Sequence, residues 1–382
     1  MISVAEIAER LNDQAASLAP DLLPNGHRAG NKWMASGIAD TGRSASLFVH
    51  LSGARIGHWC DMGNAAPGEE RGDMIDLLRL VCGLDAKGAV DEAKRRLGIQ
   101  DEFTPGAAKP DAALLAVRAE EARARAEARQ LAEDAEIAVK IRRAKQLFLS
   151  GEALAGSPAE AYLLGRAIRA LDRWPRSLRF HPEVWHREER CKLPALLCAV
   201  YRADGAMTCL HRIYLCRDRA GRWGKLLAPP EVTDPAQRAG YAKRLMPGLA
   251  WGGFVPIAKG ASGKSMAKMS EGEPVYVTEG IEDALVVRMM LPAARVVAAI
   301  NLSNMGGIVL PPAARTLVMV CDRDTKAKAQ EQLERSIAQQ QARGLIVQLV
   351  MPPESYGGEP VKDVNDWHRA ILRAQSRQGR AA

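Results

Sequence analysis

The sequence is poor in the features that mark export, membrane insertion or zinc binding. No uncharged apolar run reaches the length of about eighteen residues that a membrane-spanning helix requires, so no membrane association is expected. The N-terminus, MISVAEIAERLNDQ, has no basic n-region, no apolar h-region and no cleavage site. It reads as the start of an amphipathic helix, and the chain is expected to stay in the cytoplasm. The seven cysteines, Cys60, Cys82, Cys191, Cys198, Cys209, Cys216 and Cys321, form no CxxC pair. An odd number so dispersed fits a reducing compartment rather than a disulfide framework. Cys191, Cys198, Cys209 and Cys216 lie closest together, but LLCAV and TCLHRIYLC read as strands, where cysteine is a small core hydrophobe. Zinc ordinarily takes tighter ligand pairs, so no zinc is expected.

What is present is enough chain, 382 residues, for two or three domains with cores of their own. Hydrophobic residues make up 47% and charged residues 26%, which suits a soluble globular protein. A net charge of +8 and a pI near 9.2 permit a polyanionic partner without requiring one.

Residues 1–104 read as a small α+β domain in which the helical segments GDMIDLLRLVCGL and AVDEAKRRLGI follow short strand-like stretches. Pro105, Gly106 and Pro110 mark its end. From Asp111 to Ser150 there is neither glycine nor proline, and alanine, glutamate and arginine dominate. This predicts a helix roughly 60 Å long at about 1.5 Å per residue, and residues 105–150 read as a helical linker. Between Arg118 and Gln130 its only apolar side chains are alanines, so that part has nothing to bury and the seam is too thin for a coiled coil. Ile137, Ile141, Ala144 and Phe148 recur at helical spacing and are placed to dock on the domain that follows. Residues 151–271, with the strands LPALLCAVY and MTCLHRIYLC among Gly- and Pro-rich turns, read as a second α+β region. In residues 272–372, PVYVT, ARVVAAI, RTLVMVC and GLIVQLVM are strand-length apolar runs, with helical segments EDALVVRMM and TKAKAQEQLERSIAQQQAR between some of them. That alternation predicts a parallel sheet covered by helices on both faces. Residues 373–382 read as a basic tail.

In such sheets ligands bind at the carboxyl ends of the strands, and the acidic residues cluster there. Glu279 follows PVYVT directly, and Gly280 permits a tight turn into a helix. Glu282 and Asp283 fall in the first helical turn, where the helix dipole favours carboxylates, so capping explains them as well as function does. Asp322 and Asp324 follow RTLVMVC, two apart on an extended segment, a spacing that lets two carboxylates share a hard cation. The third cluster, V-K-D-V-N-D-W-H, supplies Asp363, Asn365 and Asp366, of which Asp366 is expected to be the cap of the last helix. Three acidic tips on one sheet edge repel unless a cation neutralises them. Oxygen ligands select Mg²⁺ or Mn²⁺ over zinc, and paired ions of this kind serve phosphoryl transfer. The string K259-G-A-S-G-K-S265 is a near miss for a phosphate-binding P-loop, since the position that needs the first glycine is Ala258. It reads as a flexible basic loop.

The order E-G-x-x-D-A at 279–284, D-x-D at 322–324 and K-D-x-N-D at 362–366 resembles the Toprim domain of bacterial primases and phage primase-helicases. The likeness covers residues 272–372, with Asn365 standing where the bacterial enzymes place an aspartate. Upstream, G57-H-W-C-D-M-G63 and G72-D-M-I-D-L-L78 are similar to a primase zinc ribbon that has lost its cysteines. A161-Y-L-L-G-R166, L178-R-F-H-P182, L193-P-A-L196 and L210-H-R-I-Y-L215 are similar to the middle region of phage and plasmid primases. The resemblance implies an α/β Toprim domain preceded by an α+β primase core subdomain, a helical linker and a small zinc-free N-terminal domain. It implies that Glu279, Asp283, Asp322, Asp324 and Asp363 bind Mg²⁺ or Mn²⁺, with Glu279, Asp322 and Asp324 catalytic. Arg212, Lys225 and Lys362 are the implied nucleotide or template contacts. The implied activity is primer synthesis on single-stranded DNA from nucleoside triphosphates, beside a separate replicative helicase. A Toprim nuclease uses the same carboxylates for hydrolysis but normally carries an ATPase, and a topoisomerase needs a larger chain with a nucleophilic tyrosine. A non-catalytic replication accessory protein is the remaining alternative, disfavoured because all three acidic motifs are intact.

Overall fold

The computed structural model describes residues 2–37, 47–53, 55–61, 71–99, 112–246 and 248–381. The expected boundary at Pro105, Gly106 and Pro110, and the Met62 and Gly63 end of the ribbon-like segment, lie outside these residues. Two units are distinguished, Met1–Glu136 and Ile137–Ala382.

The first unit begins with helices α1 (Val4–Asp13) and α2 (Ala15–Leu22). Ser3 caps α1 by accepting from the Glu6 amide. The strands β1 (His27–Ala29), β2 (Lys32–Ala35), β3 (Leu47–His50), β4 (Trp59–Asp61) and β5 (Arg71–Gly72) form an antiparallel meander in that order. Helices α3 (Met74–Cys82) and α4 (Ala86–Arg96) close the unit. Asp73 and Asp76 form a capping box on α3, and Gly83, with φ of 63°, ends it. The core gathers Ile7, Leu11, Leu47, Val49, Trp59, Met74, Leu77 and Leu78, the alternate residues of the strands and the inner stripes of the helices.

Helix α5 (Ala112–Ser150) carries the chain into the second unit. Its last turns pack there as their spacing suggests, with Ala144 and Phe148 buried against Val184, Ala195, Leu197, Leu210 and Tyr214. After α6 (Pro158–Gly165) come β6 (Leu178–His186), β7 (Cys191–Tyr201), β8 (Met207–Arg217) and β9 (Trp223–Lys225), then α7 (Pro235–Gly240) and β10 (Lys243–Leu245). The order is β10-β8-β7-β6, with β9 also on β8, all antiparallel. The sheet is buried on both faces: Ala195, Leu197 and Ala199 face the α5 turns, while Leu196, Cys198 and Val200 join α6 and the next domain in another cluster.

The remaining strands are β11 (Val255–Lys259), β12 (Val275–Thr278), β13 (Arg295–Ala298), β14 (Thr316–Val320) and β15 (Ile346–Val350), with a small hairpin of β16 (Ser355–Tyr356) and β17 (Glu359–Pro360). Helices α8 (Ile281–Met290), α9 (Leu302–Gly307), α10 (Ala327–Ala342) and α11 (Val364–Ala381) are interleaved. The sheet order is β11-β13-β12-β14-β15, parallel from β13 to β15. This is the covered parallel sheet that the apolar runs predict. Val318 and Val320 pack with α8, and Leu317 and Met319 with the α9–α10 side, so adjacent residues serve opposite faces. Two features depart from the sequence reading. Val255–Lys259, assigned there to the preceding region, is an antiparallel edge strand of this sheet. The basic residues from 373 to 381 continue helix α11 instead of forming a separate tail. Among the described residues no helix is long and apolar enough to cross a membrane.

Candidate functional site

The chain leaves β12 and turns back across it to reach β14, so the strand order reverses at β12. Ligands of open parallel sheets bind beside such a reversal, at the carboxyl ends of the strands. The parallel register pairs Thr278 with Val320, so Glu279 and the Cys321–Asp322 segment leave the sheet side by side. Thr278 fixes the first exit by donating from its hydroxyl to the Gly280 carbonyl at 2.7 Å. Gly280 has a φ of −92°, which any residue adopts, so the tight turn is not what requires it. A Cβ there would stand 2.9 Å from Asp283 Oδ2, so a larger residue would have to displace that carboxylate.

The second exit is held by Arg323. Its backbone amide donates to the Lys362 carbonyl at 2.8 Å, and its guanidinium donates to the Pro352 carbonyl at 3.1 and 2.9 Å and approaches Glu354 at 3.5 Å. The residue between the two aspartates thus ties the D-x-D segment to the third acidic segment. In that segment Asp363, not Asp366, caps α11: its Oδ1 accepts from the Asp366 amide at 2.7 Å. The two are three residues apart, and only the preceding one has a side chain that reaches the free amides of the first turn. The neighbouring Asn365 is fully buried, donates from its amide nitrogen to the Arg166 carbonyl at 2.9 Å, and donates its backbone N–H to Asp283 Oδ1 at 3.1 Å.

These contacts put the sequence-predicted carboxylates in one neighbourhood. Burial pushes the Asp322 carboxyl up to about 6, with Glu279 and Asp363 adding to the shift against Lys362 and Lys243. Burial likewise pushes Asp283 up to about 8, aided by Asp363, Asp322 and Glu282, and the Asn365 amide opposes it. Glu279 is raised by burial and Asp324, and is held down by Lys243 and Lys362. The site therefore carries more negative charge than its protein surroundings neutralise, and all of its donors are carboxylate oxygens. That donor set fits a hard divalent cation. Among the described residues, no three His, Cys, Asp or Glu side chains converge closely enough to enclose an ion by themselves. The five carboxylates expected to form one ligand set share a neighbourhood without meeting at a point. Mg²⁺ commonly binds in such surroundings, keeping its waters and taking one or two carboxylates with substrate phosphates.

A cavity of about 410 Å³ opens at this edge, lined by Glu279, Asp322, Asp324 and Lys362 and continued by side chains of α9 and α10. Of the three cations expected to contact nucleotide or template, Lys362 lines it. Lys225 is already matched, its Nζ 2.6 Å from Glu282 Oε1. Arg212 lies by the Tyr214 ring, 5.6 Å from its centroid, and its charged surroundings are Arg244 and Glu188 rather than the acidic cluster. Sequence reasoning missed Lys243, which acts on Glu279, Asp322 and Glu282 although it comes from an edge strand of the other sheet. It also read Glu282 as a possible cap. Glu282 is buried, and burial raises its carboxyl, but Lys225, Lys243 and the Tyr162 hydroxyl at 2.5 Å outweigh that and hold it well below the usual range. No local pattern signals either residue, because their partners lie far away in the chain.

The near-miss P-loop lies at the opposite end of the sheet. It follows Lys259, which pairs with Arg295 at the start of β13. Arg295, 2% exposed, donates to Ser262 at 3.1 Å, to the Lys264 carbonyl at 3.1 Å and to Glu273 at 2.9 Å. The loop is bound into a structural lock.

Residues 274–374 match the Toprim domain family, and residues 138–252 match a domain of unknown function, DUF7146. No curated protein matches the chain. Among solved structures, the chain is similar to the zinc-binding and RNA polymerase domains of the Aquifex aeolicus primase, at 12% identity and a TM-score of 0.34 over 99% of this chain and 85% of that one. It is similar to a DNA primase domain from Pseudomonas aeruginosa at 14% identity and a TM-score of 0.37, over 63% of this chain and 78% of that one. It is also similar to the primase fragment of the bacteriophage T7 primase-helicase at 12% identity and a TM-score of 0.29, over 59% and 79%.

Proposed function

We propose that this chain, which carries a Toprim domain over residues 274–374, is a DNA primase that joins nucleoside triphosphates into short primers on single-stranded DNA, in the replication of a phage, plasmid or other mobile element. The observation that carries this reading is the acidic edge: Glu279, Asp283, Asp322 and Asp363, brought from three separate segments, with proton affinities raised at the first three by burial and mutual repulsion. Glu279, Asp283, Asp322, Asp324 and Asp363 would hold Mg²⁺ or Mn²⁺, and the bound ions would neutralise the charge that gathers on the transferring phosphoryl group. Glu279, whose raised proton affinity suits it to exchange a proton, would receive one from the attacking hydroxyl. Asp322 and Asp324 would orient the reacting phosphates through the ions they hold, and Lys362 would meet the phosphate charge at the cavity rim. Arg212 and Lys225 are the other cations assigned to nucleotide or template. Residues 1–104 are assigned to template contact without zinc, and a separate replicative helicase in the cytoplasm is the partner.

The test is incubation of the full chain with single-stranded DNA, labelled nucleoside triphosphates and Mg²⁺ or Mn²⁺, resolving products by length. Short oligonucleotides are expected, and Glu279→Gln and Asp322→Asn should each abolish them. Wild-type synthesis by Asp322→Asn would show that the site is misassigned, and shortening of labelled DNA without synthesis would identify a nuclease. Binding of single-stranded DNA should weaken steeply with salt if the contacts are mainly to phosphates.

A further inference from the structure

The cavity beside the carboxylates has an apolar side for which the metal chemistry has no use. At about 410 Å³ it is at the small end of ligand pockets, which run from about 300 to 1,000 Å³, and has room for one nucleoside. Met305 from α9, Leu333 from α10 and Met351 beyond β15 line it together with the acids. Met305 is fully buried, Leu333 is half-buried and Met351 is 37% exposed, so the apolar surface reaches the cavity mouth. Cys321, also on the lining and itself buried, adds to it as a small hydrophobe. Thr325 and Gln330 supply neutral hydrogen-bonding groups.

A ligand that satisfies both sides has an anionic end, for carboxylates neutralised by cations, and a flat apolar end with a polar edge. A nucleotide has both. We propose that Leu333 and Met351, backed by the buried Met305, form a nucleobase subsite, which receives the base of a nucleoside triphosphate whose phosphates lie toward Asp322, Asp324 and Lys362. This rests on the primase reading and names the part of the substrate that the wall takes. Met305, Leu333 and Met351 carry no strong hydrogen-bonding group, methionine is an adaptable contact surface, and the Thr325 hydroxyl and Gln330 amide can each both donate and accept. These side chains meet any base face, so the subsite tolerates all four bases and selection is left to the template.

The experiment measures binding of each of the four ribonucleoside triphosphates, and of inorganic tripolyphosphate, to the full chain with Mn²⁺. The wild type should bind the nucleotides more tightly than tripolyphosphate. Met351→Ser should weaken every nucleotide roughly 2- to 12-fold, the range for losing one contact between methionine and an aromatic ring, and leave tripolyphosphate where it was. Met351→Phe, which enlarges the apolar contact at a partly exposed position, should hold or tighten the nucleotides, an outcome that misfolding cannot imitate. Equal loss of nucleotide and tripolyphosphate binding in Met351→Ser, or no loss of either, overturns the subsite, as does a wild type that binds the two alike. Primer synthesis separates the two readings. Primers made by Met351→Ser with an unchanged KM for nucleotide remove the subsite and leave the primase. Base-dependent binding that follows the expected pattern in a chain that makes no primers removes the primase and leaves the subsite.

Discussion

The two ends of the parallel sheet hold buried charge in opposite ways. At the amino end one cation, Arg295, meets Glu273, Ser262 and a backbone carbonyl, and the charges cancel within the protein. At the carboxyl end the acids outnumber the lysines that act on them, and Asp283 and Asp322 are raised to about 8 and about 6. Strands β12, β13 and β14 run through both ends, so the difference lies in the segments that enter and leave them. A buried charge matched internally serves cohesion, and one left unmatched is a liability unless something from outside completes it.

Breaking the amino-end lock should have the largest effect on stability. Arg295→Ala leaves Glu273 largely buried without its cation and should cost on the order of 3–5 kcal/mol, read as a fall in the unfolding midpoint in denaturant. Any folded fraction should keep the primer synthesis proposed for the chain. The carboxyl end should respond with the other sign. An acid whose folded pKa is raised favours folding below its unfolded value near 4, and that contribution is lost as pH rises through the folded value. Metal-free protein should therefore lose thermal stability between about pH 4 and pH 8, and Mn²⁺ should restore it at the upper end. Asp322→Asn should flatten the lower part of that slope while abolishing synthesis. A melting temperature that is level across this range, with and without the ion, would mean that the carboxylates are not mutually strained.

A smaller effect is expected where the acidic edge meets α6. Asn365→Asp replaces the amide that donates to the Arg166 carbonyl with a carboxylate and adds charge beside Asp283. It should cost about 1–3 kcal/mol, the range for a buried group left without its partner, and the loss should be greater at pH 8 than at pH 5. Equal losses at both would make the hydrogen bond, not the charge, the whole effect. Smallest of all, Ser262→Ala removes one neutral partner of Arg295 and should cost about 1 kcal/mol, with no change in synthesis.

The parts of this protein that repeat locally were legible in the sequence. PVYVT, ARVVAAI and RTLVMVC became β12, β13 and β14 because a strand buried on both faces is apolar throughout, and GLIVQLVM became the edge strand β15, apolar although largely exposed. The glycine- and proline-free stretch became α5. Glu279 and Asp322 could be placed at strand ends from their neighbours alone, whereas the cap of α11, expected at Asp366, is Asp363. What the tertiary structure decided was every pairing between distant segments. Strand β11 joined a sheet whose other members follow it in the chain, because its register is set by β13, not by its own pattern. Glu282 became a buried ion-pair partner because Lys225 and Tyr162, from the preceding domain, close over the first turn of α8. Lys243 entered the acidic field only through the packing of one sheet against the other, and the apolar side of the cavity exists only where α9, α10 and the exit of β15 meet. Periodicity records which way a side chain points from its own backbone. Charge and cavity depend on what stands opposite, which the chain sets only when it folds.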